Sequence, residues 1–362
     1  MAGDPAVPVP GPPAVPGADA VPSAPGPPAG PRACGEPLAS AYDVALLDLD
    51  GVVYVGAAAV AGAAGSLAKA KAAGMRVAFV TNNASRTPSA VAAQLTGLGV
   101  PASASDVVTS AQAGARLLAE RLPQAAAVLV VGGVGLRAAV RERGFRPVSV
   151  ASDQPAAVIQ GYAPDIGYPL LAEGALAVQA GALFVVSNAD KTLPSARGRQ
   201  PGNGSLARVI ATATGQEPLV AGKPEPPLYA ESVARTGARR PLVVGDRLDT
   251  DIEGAVRVGA DSLLVLTGVT GPLEAVLAPP HQRPSYLARD LSGLLTPHPP
   301  VTEADGEFRC VGWHARWQDA GRLVLGGGGD PMDGLRALCA AAWSAAQVTA
   351  GAVAPALRQL GW

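Results

Sequence analysis

The chain has 362 residues, of which 48% are hydrophobic and 16% charged, and its formal net charge is −1. This composition allows a large core in more than one domain, and it argues against a disordered chain or a polybasic surface for nucleic acid or membranes. No apolar run approaches the 18 or so residues that span a bilayer, and no signal-peptide pattern is visible, so we expect a cytoplasmic protein.

Cysteine and histidine are scarce, which narrows the possible chemistry. Cys34, Cys310 and Cys339 share no metal-ligand spacing and are odd in number, which disfavours a disulfide framework or a zinc site. All three histidines come after residue 280. Any catalysis in the first 280 residues must therefore rest on carboxylates, hydroxyls, amides and lysine rather than on a histidine-assisted nucleophile.

Residues 1–40 form a predicted disordered tail. They contain 12 of the 35 prolines, interleaved with Ala, Gly and Val, and show no periodic apolar face. A passive tail is the simpler interpretation, and a docking segment is the alternative.

The first predicted strand, residues 43–49, leads into Asp48 and Asp50. Its apolar run and the following Gly51 are typical of a buried strand that ends in a turn. Residues two apart in a strand point the same way, so the two carboxylates should lie together. Because such a pair repels, one carboxyl would stay protonated unless a cation or a reaction requires both. The pair predicts a metal-assisted catalytic site.

A helix over 62–73 and a strand over 75–80 follow, and this alternation predicts a parallel sheet. The strand ends in Thr81, Asn82 and Asn83, at the sheet edge where open α/β proteins bind ligands. A hydroxyl and neighbouring amides suit phosphate oxygens. The alternative is that these residues cap the next helix.

A glycine-rich segment after the strand 126–131 offers a different hypothesis. Residues 132–135 read Gly-Gly-Val-Gly, and with Ala138 they match a dinucleotide-binding fingerprint, with Asp153 about 20 residues further on. The chain contains 44 glycines, so chance matches are frequent, and Asp153 lies in a turn. A dinucleotide-binding module is therefore a distant alternative.

The next strand end is followed by a long polar loop. The strand 183–186 ends in Ser-Asn188-Ala-Asp190, and residues 191–204 then lead into a helix over 206–214. Long loops in compact proteins are usually functional or disordered. This loop could line a substrate pocket or connect two domains.

Two further charged positions follow short apolar strands. Lys223 comes after Val-Ala-Gly and would bring a point charge to the ligand-binding edge, although most lysines are simply solvated. The strand 241–244 leads into Asp246 and Asp251. Asp251 could cap the next helix, but Asp246 has no such structural role. Carboxylates, a hydroxyl and a lysine at one sheet edge match phosphoryl transfer with Mg²⁺.

These motifs, in this order, resemble the haloacid dehalogenase superfamily of phosphatases. The resemblance is carried by Asp48-x-Asp50-Gly, Thr81-Asn-Asn, Gly222-Lys223-Pro224 and Gly245-Asp246 with Asp251. The long interval between the second and third motifs places a cap there, as in the class IIA, NagD-like branch. Within it, the whole chain is most similar to bacterial glycerol-3-phosphate phosphatases.

The resemblance implies an α/β fold, with a Rossmann-like parallel-sheet core, an inserted α/β cap of the C2 type and a small C-terminal α/β extension. We expect the core at 41–121 and 201–296, the cap at 122–200 and the extension at 297–362.

The resemblance also implies residue roles. Asp48 would attack phosphorus, and Asp50 would protonate the leaving alcohol and then activate water. The carboxylates of Asp48 and Asp246 and the backbone carbonyl of Asp50 would bind Mg²⁺, and Asp251 would bind a metal-bound water. The phosphoryl oxygens would contact Thr81, Asn82, Asn83 and Lys223.

The same resemblance places Asn188, Asp190 and Leu193 of the cap against the substrate. The hypothesis is a small phosphorylated metabolite, glycerol 3-phosphate, with phosphoglycolate, sugar phosphates and aryl phosphates as alternatives. Transfer of the phosphoryl group to a second alcohol would use the same residues as hydrolysis.

The last segment contains all four tryptophans. Strands are predicted over 308–317 and 322–325, joined by a turn at 319–321, and a helix over 331–350. Residues 326–329, four glycines, could cradle an anion or serve as a flexible connection. We expect this module to pack on the core or on the second subunit of a homodimer.

Overall fold

The computed structural model describes residues 29–193, 197–318 and 321–362. Its strands, in chain order, are β1 (Val44–Leu47), β2 (Tyr54–Val55), β3 (Ala58–Ala59), β4 (Arg76–Thr81), β5 (Val107–Thr109), β6 (Ala127–Val131), β7 (Arg146–Val148), β8 (Ala157–Gln160), β9 (Leu183–Val186), β10 (Thr192–Leu193), β11 (Gln200–Pro201), β12 (Leu219–Val220), β13 (Pro241–Gly245), β14 (Asp261–Val265), β15 (Tyr286–Ala288), β16 (Thr302–Ala304), β17 (Glu307–Cys310), β18 (Trp313–Gln318) and β19 (Arg322–Gly327). Its helices are α1 (Leu38–Ala41), α2 (Ala63–Ala72), α3 (Pro88–Gly97), α4 (Ser110–Ala119), α5 (Val134–Glu142), α6 (Tyr168–Gln179), α7 (Asn203–Thr214), α8 (Pro226–Thr236), α9 (Glu253–Arg257), α10 (Pro272–Val276), α11 (Pro331–Trp343) and α12 (Ala350–Gln359).

The core is a six-stranded parallel sheet in the order β15-β14-β13-β1-β4-β5. All four residues of β1 are buried, because helices cover both faces of the sheet, and this explains why its strands are continuous apolar runs. In the register of the central strands, Leu47 lies beside Val244 on one side and Phe79 on the other. The predicted parallel α/β core is confirmed, and the carboxyl ends of β1, β4 and β13 meet at one edge.

The cap is a second parallel sheet, in the order β12-β9-β8-β6-β7. Helices α6 and α7 pack against one of its faces, where Ile210 joins an apolar cluster with Leu129 and Val158. The expected boundary at residue 200 is wrong, because Leu219 and Val220 pair with Val185 and Val186 of β9. The cap therefore extends to Val220. The short strand expected before Lys223 is present, but the sequence gives no sign that it pairs with the cap sheet rather than with the core.

The predicted tail also ends earlier than expected. The Arg32 N–H donates to the Ser285 carbonyl, and the Arg32 guanidinium forms a 2.6 Å ion pair with Asp261. Leu38 is fully buried in the core. Residues 29–40 therefore belong to the folded structure. The sequence did not indicate this, because their contacts are with residues far away in the chain. Residues 1–28 of the predicted tail lie outside the described residues.

The C-terminal module is a four-stranded antiparallel sheet, in the order β16-β17-β18-β19, covered by α11 and α12. Its apolar side is continuous with that of the core, where Trp313 and Leu335 share a cluster with Ile252 and Leu264. The module therefore packs on the core of its own chain.

Two predictions for the C-terminal module are wrong, and a third concerns residues that the structure does not describe. The expected single helix over 331–350 ends at Trp343, and a second helix begins at Ala350. The glycine segment 326–329 is partly strand, because β19 continues to Gly327. The predicted turn at 319–321 includes two residues outside the described ones. Among the residues described, no helix combines the length and apolarity needed to cross a bilayer.

Candidate active site

The carboxyl edge of the core sheet brings the predicted strand-end residues together. Asp48 follows β1, Thr81 ends β4, and Asp246 follows β13. Lys223 reaches the same place from the segment between β12 and α8. Parallel neighbours end at one edge, so residues nearly 200 positions apart become neighbours.

Three carboxylates form a compact cluster at this edge. One oxygen from each of Asp48, Asp246 and Asp251 lies within 4.8 Å of the others. Asp246 and Asp251 are each only 1% exposed. The Asp50 side chain is not part of the cluster and is exposed at its mouth. The prediction of an Asp50 ligand thus concerns its backbone carbonyl alone.

Lys223 is the cation of this cluster. Its Nζ donates to Asp48 Oδ1 at 2.5 Å and to Asp251 Oδ1 at 2.7 Å. The side chain is 4% exposed. Burial acts to lower the pKa of Lys223, but the carboxylates of Asp251 and Asp48 outweigh it and raise the pKa above its ordinary value. The lysine therefore stays charged in the folded protein.

One lysine leaves two negative charges of the cluster uncompensated. Burial and repulsion from Asp251 and Asp48 raise the pKa of Asp246 to about 7. Asp246 Oδ2 accepts a hydrogen bond from the Val269 N–H at 2.7 Å, whereas Oδ1 is buried with no hydrogen-bond partner. Buried carboxylate oxygens without donors are costly unless they bind a cation. The donor set, all oxygen, fits a divalent cation such as Mg²⁺.

The pKa values of Asp48 and Asp251 depend on the same two effects, burial and the charge of Lys223. Burial raises the pKa of Asp48, and Lys223 opposes that rise. Burial likewise raises the pKa of Asp251 to about 6, against the attraction of Lys223. Burial also raises the pKa of Asp50, and this rise is opposed by Lys223 and by Arg86. A carboxyl with a raised pKa outside the cluster suits proton transfer.

Asn82 connects the core to the cap. Its Oδ1 accepts from the Lys223 N–H at 2.8 Å, and its Nδ2 donates to the Lys223 carbonyl at 3.1 Å and to Asp190 Oδ2 at 3.3 Å. Its carbonyl accepts from Asn188 Nδ2 at 2.7 Å. The amides of Asn82 and Asn188 are thus engaged in holding the chain. Asp190 lies half-buried beside them, and burial raises the pKa of its carboxyl.

The Thr81–Asn83 segment is arranged by its own side chains. The Asn83 N–H donates to Thr81 Oγ1 at 3.1 Å, which leaves the hydroxyl proton of Thr81 for another acceptor. Asn83 Oδ1 accepts from the N–H and hydroxyl of Ser85, at 2.9 and 2.7 Å. The Asn83 side chain therefore shapes the turn through its Oδ1, and its contact with phosphate stays a prediction.

Several residues of the site have no obvious sequence signal. Gly51 has φ +81°, and a Cβ there would lie 2.5 Å from Asp246 Cγ, so only glycine fits beside the cluster. Thr267 donates its hydroxyl to the Gly51 carbonyl at 2.5 Å. Arg86 acts on Asp50 through its charge. The position of Gly51 directly after Asp50 is the one hint that sequence offers.

Comparisons with known proteins agree with this geometry. Residues 45–146 match the family of haloacid dehalogenase-like hydrolases, residues 220–294 match a second model of the same kind of hydrolase, and residues 310–362 match a GCN5-related N-acetyltransferase like domain. A D-glycerol 3-phosphate phosphatase from Mycobacterium tuberculosis is 46% identical over 85% of this chain and 88% of its own length. A 5′-nucleotidase from Bacillus subtilis is 38% identical over 62% of this chain and 87% of its own length.

Solved structures give the same result. The crystal structure of a glycerol phosphate phosphatase from Mycobacterium tuberculosis, in complex with magnesium, has a TM-score of 0.80 and 43% identity, and the match covers 90% of this chain and 99% of that one. A p-nitrophenyl phosphatase from Archaeoglobus fulgidus has a TM-score of 0.65 and 26% identity, over 70% of this chain and 98% of that one.

Proposed function

The chain belongs to the haloacid dehalogenase-like hydrolases and is a phosphatase, and from this premise we propose that it hydrolyses glycerol 3-phosphate through an aspartyl-phosphate on Asp48. One observation carries the residue assignment. A single buried lysine, Lys223, holds Asp48 in a cluster with Asp246 and Asp251 at the ligand edge of the sheet. This arrangement combines a nucleophile, a cation site and a fixed positive charge for a phosphoryl group.

Asp48, Asp246 and the Asp50 backbone carbonyl would hold Mg²⁺, with Asp251 close by. When bound, the ion offsets the charge of the phosphate and of the carboxylates. The unpartnered Oδ1 of Asp246 supports this assignment. Lys223 contributes a second positive charge, because its Nζ lies between Asp48 and Asp251.

The reaction proceeds in two displacements. In the first, a carboxylate oxygen of Asp48 attacks phosphorus while the bond from phosphorus to the leaving oxygen breaks, and Asp50 gives its proton to the departing alkoxide. In the second, Asp50 takes a proton from water, which attacks the phosphorus of the aspartyl-phosphate and frees inorganic phosphate and Asp48. The raised pKa of Asp50 supports its role as the acid.

The Thr81 hydroxyl, the backbone of Asn82 and the Lys223 ammonium are assigned to the phosphoryl oxygens. The Thr81 hydroxyl retains its proton for this purpose, because the Asn83 N–H uses only a lone pair of its oxygen. Asn82 fixes the Lys223 backbone through two hydrogen bonds, so hydroxyl and ammonium are held in one arrangement. Such preorganised donors stabilise the developing charge without reorganisation.

The substrate assignment rests on the relative with 46% identity and on the half-buried carboxylate of Asp190 beside Asn82. A half-buried carboxylate there can accept hydrogen bonds from polyol hydroxyls. Asn188 and Leu193, the latter in β10, are the other two cap residues expected near the substrate. Other relatives are named acid sugar phosphatase or 4-nitrophenylphosphatase, which keeps sugar phosphates and aryl phosphates as the second candidate class.

A panel of phosphomonoesters tests the proposal. With Mg²⁺ present, we expect kcat/KM for glycerol 3-phosphate to exceed that for phosphoglycolate, a hexose phosphate and p-nitrophenyl phosphate at least tenfold. A preference for any of the other three would overturn the substrate assignment. Release of inorganic phosphate in equal amount to the alcohol, even with a second alcohol added, distinguishes hydrolysis from phosphotransfer.

The nucleophile is tested by Asp48→Asn. We expect this variant to fold, as judged by circular dichroism, and to release no phosphate above background, because the amide cannot form the acyl phosphate. Full activity of Asp48→Asn would refute the mechanism.

A further inference from the structure

The first turn of α5, in the cap, rests directly on the segment that follows Thr81. The Gly135 N–H, one of the amides left free at a helix start, donates to the Ser85 carbonyl at 3.2 Å. A Cβ at Gly135 would lie 2.6 Å from the Arg86 carbonyl carbon and 2.7 Å from the Ala84 carbonyl oxygen. These are backbone atoms, which cannot rotate away as a side chain can. Only glycine permits this approach.

The same segment is built into the apolar interior of the cap. Ala84 is 2% exposed and belongs to a cluster with Leu136 and Ile159 of the cap. A Cβ at Gly161 would lie 3.1 Å from the Ala84 Cβ, so the packing around Ala84 is tight. Residues 84–86 thus form a seam between core and cap. This packing accounts for Gly135 without a bound dinucleotide. Gly132 is explained separately, because a Cβ there would lie 2.8 Å from the Gly161 carbonyl oxygen within the cap.

A short series of hydrogen bonds leads from the seam to the active site. Ser85, whose carbonyl receives the Gly135 N–H, donates its own N–H and hydroxyl to Asn83 Oδ1. The Asn83 N–H in turn donates to Thr81 Oγ1. The position of the Gly135 backbone is therefore transmitted to the Thr81 hydroxyl through two intervening residues.

The far end of α5 is also fastened to the core. Arg143, directly after the helix, donates to both oxygens of Glu231 in α8 at 2.7 Å. Glu231 is 1% exposed, so this is a buried charge held by a bidentate pair. Because both ends of α5 are held, the helix cannot slide to relieve a clash at Gly135. The displacement must go into residues 84–86.

We propose that Gly135 is a positioning residue of the phosphatase, which seats α5 on residues 84–86 and so sets the placement of Thr81 and Asn83. The inference rests on the proposed function in one respect, that Thr81 receives a phosphoryl oxygen. Gly135 touches neither substrate nor nucleophile and acts only through Ser85 and Asn83.

The test is Gly135→Ala, with Gly133→Ala as the matched control. Gly133 has φ −81°, and a Cβ there would meet its nearest neighbours, Ala163 Cβ and the Ser85 carbonyl, at 3.4 Å, an ordinary contact. We expect Gly135→Ala to raise the Ki of inorganic phosphate and to lower kcat/KM, each at least tenfold. We expect Gly133→Ala to stay within twofold of the wild type in both.

The phosphate Ki separates positioning from stability. A purely structural role would lower the Tm of Gly135→Ala and leave its phosphate Ki, measured well below that Tm, unchanged. If Gly135→Ala fails to fold, the double variant Gly135→Ala with Arg143→Gln frees the far end of α5. It should fold and bind phosphate at least tenfold more weakly than Arg143→Gln alone.

A folded Gly135→Ala with a phosphate Ki within twofold of the wild type overturns the inference. Failure of both the single and the double variant to fold overturns it as well, since Gly135 would then serve folding and not the site. A wild-type protein that hydrolyses no phosphomonoester refutes the proposed function instead.

Discussion

Replacing Lys223 with methionine removes the one cation that the structure places among the three clustered carboxylates. Methionine has a similar length, so the change deletes charge more than volume. The lost contacts are the ion pairs with Asp48 at 2.5 Å and Asp251 at 2.7 Å, and a 3.3 Å hydrogen bond to the Val80 carbonyl. All of these lie in the interior, because Lys223 is 4% exposed.

The expected loss of stability follows from that burial. Removing one partner of a buried ion pair leaves an uncompensated charge and costs roughly 3–5 kcal/mol. Here two pairs lose the same partner, which places Lys223→Met at the upper end of that range. A surface ion pair would cost at most about 1 kcal/mol, so the two cases are separable by experiment.

Magnesium should partly rescue this variant. An ion that binds only the folded state at 100 times its Kd adds about 2.7 kcal/mol. The cluster of Lys223→Met has one positive charge fewer than that of the wild type. We therefore expect Mg²⁺ to bind the variant more tightly and to raise its stability more than that of the wild type. Urea unfolding in EDTA and in excess Mg²⁺ measures both quantities. Activity should stay absent, since the phosphoryl clamp is lost.

Lys69→Met is the control, because Lys69 is exposed on α2, and its free energy of unfolding should stay within about 0.5 kcal/mol of the wild type. A free energy of unfolding for Lys223→Met in EDTA that lies less than about 1 kcal/mol below that of the wild type would show that Lys223 does not offset a repulsion among the carboxylates. An equal or smaller effect of Mg²⁺ on Lys223→Met would show that the lysine and the ion do not share the cluster.

Three other perturbations follow from the same structure. Asp246→Asn should weaken Mg²⁺ binding in isothermal titration calorimetry. In EDTA at about pH 8 it should stabilise the protein by roughly 1–2 kcal/mol, because it removes a buried negative charge that other carboxylates repel. A loss of stability in EDTA would contradict this. Burial and the neighbouring Arg336 lower the pKa of His298, so its neutral form is favoured in the folded state. The stability of the wild type relative to His298→Gln should therefore fall as the pH drops through the usual histidine pKa of about 6.5, and a constant difference across that range would refute the argument. Truncation after residue 296 exposes Ile252 and Leu264 and should cause aggregation measurable by light scattering; a stable, monodisperse fragment would contradict the shared cluster.

The strand-end residues were accessible from sequence because their placement follows from local rules. Each apolar run predicts a strand, and parallel neighbours must end at the same edge. That Asp48, Lys223 and Asp246 lie at one edge can therefore be predicted from each strand separately, without knowing which side chains they contact. The side-chain amides behave differently. Asn82 and Asn188 form hydrogen bonds to backbone atoms of segments far away in the chain, and no spacing within either segment reveals these partners.

The sequence by itself thus determined the parallel α/β core, the acidic and basic residues at its ligand edge and a separate C-terminal module, whereas the cap was implied by the resemblance to the haloacid dehalogenase superfamily. The apolar periodicity and the alternation of strands and helices along the chain carry that information, because both can be recognised from local sequence. Tertiary structure alone decided which three carboxylates cluster, that the cap runs to Val220, and that Gly135 allows the cap to approach the backbone of residues 84–86. These depend on approaches between segments far apart in the chain, where a missing Cβ or a single hydrogen bond leaves no periodic trace.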